Sequence, residues 1–419
     1  MYFGFVSRCL LIAVLSIILI FGGCNDDTGS GVDLKIVTDL QVIKNPNGVA
    51  PLTALLKITT NTEASLSLRI VGKNGTDSDI RHDFPDFGTT FEIPVLGLYP
   101  AHDNQVEISF LDGTGAKISS ELVSIQTEVL NANMPQVEVN VSSSGSIKPG
   151  LNLVNYFGHN GNFLPQRPLM FDEFGDPRWY LNFSGHPVLS NLFYDNGMNR
   201  LQNGNLVFGD GRTEALYEID MLGEIINTWD LQGFGFHHHV IEKPNGNLLV
   251  TVNDNSIPTV EDLVLEIDRS SGDIVNRWDL NASLDNTRRA WNTDLADLNV
   301  DWFHANAIEY SATDNSLIVS GRTQGTVKLS ENNQVVWILA PHKDWNTSGD
   351  GTELDQFLLQ PLDAQGTAIA DVQVLEGETN HPDFEWAWYQ HSPILLPNGN
   401  LMVFDNGENR NYSGTGNYS

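Results

Sequence analysis

The sequence predicts an all-β chain, a β-propeller preceded by a small β-sandwich, and three observations carry that expectation. The first is a unit met three times, a histidine followed by a strand, a polar turn and a second strand: HHVIEKPNGNLLV from His238, HANAIEYSATDNSLIVS from His304 and HSPILLPNGNLMVF from His391. The second is the spacing of these units along the chain. The third is a run of short alternating strands nearer the N terminus.

Asn-Gly between two apolar runs is a strong hairpin signal, because both residues tolerate the positive φ angles of tight turns. In the first and third units the histidine stands ten positions before the leucine that follows the turn, Leu248 and Leu401. In the middle unit it stands thirteen before Leu317, which the sequence suggests is the effect of the longer turn SATDNS. A fourth hairpin, NGMNRLQNGNLVFGD, carries Asn196 where the others carry histidine. The leucines after the turns fall at 206, 248, 317 and 401, and the first interval, 42 residues, is the length of one propeller blade. The longer intervals require insertions or an unmarked blade. Outer-strand segments repeat as well: LYEIDMLGEIINTWDL, VLEIDRSSGDIVNRWDL and VKLSENNQVVWIL place Trp229, Trp278 and Trp337 where they are expected to pack between blades.

Over 34–130 the strands are ALLKITT, ASLSLRIVG, TTFEIPVLGLY, NQVEISFLD and ISSELVSIQTEVL, separated by Gly, Asn and Asp turns. Short strands at such spacing predict a sandwich of about 100 residues. It shows no cluster of histidine, cysteine or carboxylate and reads as a structural or docking module. Residues 131–150, rich in Ser, Pro and Gly, read as the linker, and 151–419 as the propeller domain.

The chain has 419 residues and a net charge of −31, with 22 Lys+Arg against 53 Asp+Glu. Nucleic acid is excluded as a natural partner, since binding phosphate needs a basic face. The N terminus reads as an export signal: one arginine, then the apolar run CLLIAVLSIILIF, too short to span a bilayer comfortably. Gly22, Gly23 and Cys24 follow, the arrangement of a bacterial lipoprotein signal. On that reading 1–23 is removed, Cys24 is acylated and anchors the chain to a membrane by lipid alone, and 24–33 is a tether. An ordinary cleaved signal is the alternative, and both export the protein to the periplasm or envelope surface. Cys9 and Cys24 are the only cysteines, so the mature chain has no disulfide.

Blades are related by rotation about a central channel, so residues at one repeat position share a ring. His238, His304 and His391 are thus expected to converge at one mouth of that channel. Arg322, in SLIVSGRTQGTVKL, follows the strand that pairs after His304, and an arginine near three histidines makes an anion site suited to sulfate or phosphate oxygens. A metal site is the chemical rival, three histidines and a carboxylate being able to hold zinc; Arg322 argues against it by repelling a cation. A non-enzymatic propeller binding glycans or proteins is the other rival, with Trp386, Trp388 and Tyr389 as its aromatic surface. Asp294 to Asp301 offers carboxylates for calcium without the spacing of a standard loop, and His186, His342 and His381 have no assigned role.

The segments DWFHANAIEY, SLIVSGRTQGTVKL, WILAPHKDW, LLQPLDAQG, FEWAWYQHSPILLPNGN and FDNGENR, in that order, resemble the bacterial arylsulfate sulfotransferases that work without a nucleotide sulfate donor. NPNGVAPLTALLKITT and FEIPVLGLYP resemble that family's N-terminal β-sandwich, so the likeness covers nearly the whole mature chain. The resemblance implies six blades and no cofactor, with small-molecule partners: a phenolic sulfate as donor and a phenol as acceptor. It implies that His391, ending WYQH, is the nucleophile that is transiently sulfated, with His304, His238 and Arg322 binding sulfuryl oxygens. Among His237, His238 and His239, the ten-residue offset shared with His391 selects His238. Imidazole suits the task, since it attacks sulfur, leaves readily and is neutral near physiological pH. Two departures stand out: Ser419 comes soon after His391, so the propeller is expected to be truncated, and the family's disulfide near the site has no cysteines here. Whether the chain works as a monomer or a homodimer is left open.

Overall fold

The computed structural model describes residues 36–130, 134–140, 150–156, 167–192, 196–289 and 296–413. The expected signal, Cys24, the tether and residues 131–133 and 141–149 of the linker lie outside the described residues. No helix among the described residues is long and apolar enough to cross a membrane.

The N-terminal unit has five antiparallel strands: β1 (Val37–Lys44), β2 (Thr53–Ile70), β3 (Ile80–Leu96), β4 (Asp103–Leu111) and β5 (Lys117–Gln126). In place of two separate sheets they form one, because β2 and β3 are long enough to serve twice. The first half of β2 pairs with β1 and the end of β3; its second half pairs with the start of β3 and with β4. Alternate residues of β2 turn inward, Leu56 and Ile58 from one half and Leu66, Leu68 and Ile70 from the other, into a single core with Val95, Ile108 and Phe110. Strict alternation of apolar and polar residues is what a half-buried strand requires. The two halves close on each other where Lys44 donates to the Gln126 carbonyl across 3.0 Å.

The remaining strands form blades. A three-stranded sheet comes first: β6 (Asn152–Tyr156), β7 (Arg167–Phe171) and β8 (Pro177–Tyr180). A four-stranded sheet follows with β9 (Asn199–Arg200), β10 (Leu206–Asp210), β11 (Ala215–Ile219) and β12 (Ile225–Asp230). Next come β13 (Phe234–Glu242), β14 (Leu248–Asp254), β15 (Leu263–Ile267) and β16 (Ile274–Asp279), then β17 (Ala305–Ser311), β18 (Ser316–Gly321), β19 (Gly325–Leu329) and β20 (Val335–Leu339). A two-stranded sheet, β21 (His391–Leu395) and β22 (Leu401–Phe404), is last. The described residues hold these five propeller sheets, and a sixth is not among them. First strands lie side by side, β13 against β17 and β17 against β21, as strands lining one axis must.

Middle strands such as LVLEI and SLIVSG are buried along their whole length, which explains their unbroken apolar character. The recurring NGN turn has a polar counterpart: Asn205 and Asn247 each donate across 2.7 Å to a buried carboxylate, Glu218 and Glu266, on the third strand of their own blade. Burial alone would raise the Glu218 pKa; bonds from Arg269, Asn203, Asn227 and Asn205 outweigh it and hold it at about 2.

Two of the three expected tryptophans do join blades. The Trp229 indole donates to the Arg269 carbonyl and the Trp278 indole to the Ser330 carbonyl, each in the turn between the third and fourth strands of the next blade. Trp179, which the repeats do not flag, makes the same bond to Met221. Trp337 differs: it pairs with Lys328, whereas Trp229 and Trp278 pair with Leu216 and Val264 further along their partner strands, and it is only half-buried. Two positions out of register, its indole cannot take the same place.

The sandwich docks on the first blades. Val49 and Ala50 join a core with Trp179 and Leu206, and Val49 fills the space beside Gly223. At the junction Arg178 is buried and donates to Asp172, Gly97, Ser78 and Tyr99.

Candidate active site

Each histidine of the repeated unit stands at an irregularity of a first strand. In β13 the pairing slips between Phe236 and Val240, in β17 between Ala305 and Ala307, and in β21 between His391 and Ile394. A bulge re-aims side chains that a regular pleat would send to alternate faces. His238 and His304 are left-handed, at φ 53° and 57°, as are Glu261, Tyr389 and Ser392 beside them. Non-glycine residues in that region cost on the order of 1–3 kcal/mol each and gather at functional sites.

Strand register corrects the reading of the middle unit. Tyr310 pairs with Leu317 as Glu242 pairs with Leu248 and Leu395 with Leu401. By that register Asn306 is the counterpart of His238, His391 and Asn196, and His304 lies two residues upstream. The longer turn accounts for only one of the three extra positions.

The structure brings the four expected residues together. His238 Nε2 and His304 Nε2 are 3.0 Å apart. His304 Nδ1 bonds Asp301 Oδ2 at 2.7 Å and also contacts Glu261. Burial opposes a charge on His304, but the bonds to Asp301 and Glu261 outweigh it and raise its pKa. Asp301 Oδ2 also accepts from Arg322 Nη2 at 3.2 Å, so one carboxylate orients both side chains. The Arg322 backbone N–H donates to the His304 carbonyl, its guanidinium lies over the Tyr389 ring at 5.0 Å, and its Nε has no partner among the described residues. A guanidinium with spare donors is suited to an anion.

His391 is the residue whose chemistry the fold tunes most visibly. Its Nδ1 lies 3.0 Å from the Tyr389 carbonyl, which can only accept, so Nδ1 carries the proton and Nε2 keeps its lone pair. The Asn406 amide nitrogen lies 3.2 Å from the same Nδ1. Burial, with the nearby charges of His238, His304 and Arg322, lowers the His391 pKa to about 4 against a smaller upward push from the Tyr389 bond. The imidazole is therefore neutral at physiological pH.

The neighbours of His238 hold other places. His239 bridges three blades, its ring meeting Asn199 Nδ2 at 3.0 Å and accepting the Ile308 N–H at 3.1 Å. His237 Nε2 meets Glu261 Oε1 at 2.5 Å. Sequence reasoning missed Glu261 and the role of Asp301; the latter belongs to the histidine cluster, not to a calcium loop. His186 and His381 accept local backbone N–H groups, and His342 donates to the Leu359 carbonyl, all structural tasks. Trp386, Trp388 and Tyr389 are buried together, so they form no exposed aromatic surface. The cavity beside Arg322, Trp388 and Tyr389 measures about 20 Å³, room for one water and not for a phenol.

Comparison with known proteins gives the family. The family model "Arylsulfotransferase (ASST)" matches residues 136–419, and "Arylsulfotransferase Ig-like domain" matches 41–128. Arylsulfate sulfotransferase AssT of Lelliottia amnigena is 27% identical, the alignment covering 88% of this chain and 74% of that protein. The AssT of Escherichia coli O6:H1 is 28% identical with the same coverage. A solved streptogramin B lyase is 12% identical at a TM-score of 0.34, covering 82% of each chain, too distant a likeness to add weight. The chain belongs to the arylsulfotransferase family and is a sulfotransferase.

Proposed function

We propose that this protein moves a sulfuryl group from a phenolic sulfate ester to a phenol in two steps through a covalent adduct on His391. The observation that carries the reading is a neutral imidazole, its Nε2 lone pair free and its Nδ1 tied to Tyr389, among two histidines and an arginine. In the first step His391 Nε2 forms a bond to sulfur as the bond from sulfur to the phenolic oxygen breaks. The departing phenolate takes a proton from one of the flanking histidines, His304 or His238. In the second step the oxygen of another phenol attacks sulfur, the bond to Nε2 breaks, and the phenolic proton returns to the site. Arg322, His238 and His304 bind the sulfuryl oxygens, stabilising charge as donors do in phosphoryl transfer. Splitting one transfer into two is the gain from a covalent intermediate. A six-bladed propeller is part of this reading, as is export with Cys24 acylated, which rests on the N-terminal sequence.

The test is a time course of phenol release from an aryl sulfate with no nucleotide and no acceptor, followed by peptide mass analysis. A burst near one equivalent and one SO₃ on the His391 peptide are expected, both lost in His391→Ala. Steady release with no adduct, or an adduct that survives in His391→Ala, overturns the covalent role.

A further inference from the structure

The cluster behind the sulfuryl pocket has a second chemistry. His237, His238, Glu261 and His304 each bring one donor atom, and these atoms all lie within 4.8 Å of one another. The His238 and His304 nitrogens are 3.0 Å apart, close to the roughly 3.3 Å between two ligands on a tetrahedral zinc with bonds of about 2.0–2.1 Å. Three imidazoles and one carboxylate are the donor set of zinc, not of calcium or magnesium, which take oxygen. The carboxylate is in place: Glu261 contacts both His237 and His304. Asp301 on His304 Nδ1 supplies the outer carboxylate that commonly orients a metal-bound histidine. Arg322, the objection raised by the sequence, is paired with Asp301, so its charge is locally balanced.

We propose that His237, His238, Glu261 and His304 form a zinc-binding site, and that the bound ion excludes the sulfuryl group. Binding would require shifts of about an ångström to bring the outermost donors to zinc distance. The ion takes nitrogens of His238 and His304, so metal and aryl sulfate compete. This exclusion rests on the reading of the pocket given above; the metal site itself does not. His237, outside the sulfuryl-binding set, distinguishes the two ligands.

The experiment uses the full chain with any affinity tag removed, titrated with zinc against a chromophoric chelator. One tight equivalent is expected, weakened at least tenfold in His237→Gln and in His304→Gln, and unchanged in His342→Gln. Cobalt in place of zinc should give the intense visible bands of a four-coordinate ion, lost in His237→Gln. Zinc that binds the unaltered chain no better than His237→Gln, or cobalt bands of a six-coordinate ion, overturns the site. Should His237→Gln fail to fold, protection of the His237–His239 peptide from diethyl pyrocarbonate by zinc is the same test on the unaltered chain, and absence of protection overturns the site. One equivalent of zinc should also stop phenol release, EDTA should restore it, and His237→Gln should keep releasing phenol with zinc present. Zinc bound with release undiminished overturns the exclusion. An absence of phenol release without zinc counts against the sulfotransfer reading, and the chelator titration still decides the metal site.

Discussion

Two arginines, one buried at the junction of the domains and one partly exposed beside the histidine cluster, show how differently the same residue is used. Arg178 donates to four acceptors, two carbonyls, a phenol and the Asp172 carboxylate, while its Nη2 has no hydrogen-bond partner among the described residues. Arg322 has one carboxylate, shared with His304, an aromatic ring beneath it and an Nε without a partner among the described residues. A buried charge normally collects partners until its lost hydration is replaced. Arg322 has collected fewer of them than Arg178, and on the proposed mechanism the sulfuryl oxygens take the place beside it.

This contrast can be broken most directly by removing each arginine in turn. Arg322→Ala should lower the rate of phenol release by about 10²–10³, the loss found when one preorganised donor to a transition state is deleted, with the melting curve nearly unmoved. Arg178→Ala should do the reverse, costing about 3–5 kcal/mol of stability by leaving Asp172 buried without its partner, while the folded fraction keeps its rate. If both variants lose stability and neither loses chemistry, the distinction is wrong.

Acid sharpens the comparison from the side of the nucleophile. On the proposed mechanism the reactive form of His391 is neutral, and its pKa lies near 4, below the usual histidine value, so it gains its inactivating proton only in acid. Burst rates should stay level from pH 7 to about 5 and fall below that; a fall centred near 6.5, the free histidine value, would contradict the environment described here. Asp301→Asn should lower the His304 pKa, read from its imidazole resonances, because an opposite charge at that range favours the protonated form. The smallest effect belongs to the frame: Trp278→Phe keeps most of the packing and loses the bond to Ser330, for about 1 kcal/mol in denaturant unfolding.

Much of this was legible in the sequence, for local reasons. Asn-Gly turns announce themselves through their φ angles, and the histidines of the repeated units mark the first strands. What escaped depends on contacts far along the chain. Glu261 meets His304 from a different blade, and no spacing rule links a residue before β15 to one before β17. Asp301 looked like one acid among several, and only folding shows that it faces Arg322. The offset of His304 was assigned to its turn because a bulge leaves no mark in composition. Trp179 was overlooked since its blade lacks the Asn-Gly turn that made the others visible.

The joints between blades have a consequence for how such a protein changes over time. Each indole of Trp179, Trp229 and Trp278 is received by a main-chain carbonyl, and the residues offering it are Met221, Arg269 and Ser330. A fastening that asks nothing of the side chain leaves those turns free to vary, so a lineage could duplicate or exchange blades while rewriting their rims. Kinship among the blades would then survive in the pattern of indoles long after it faded from the letters between them.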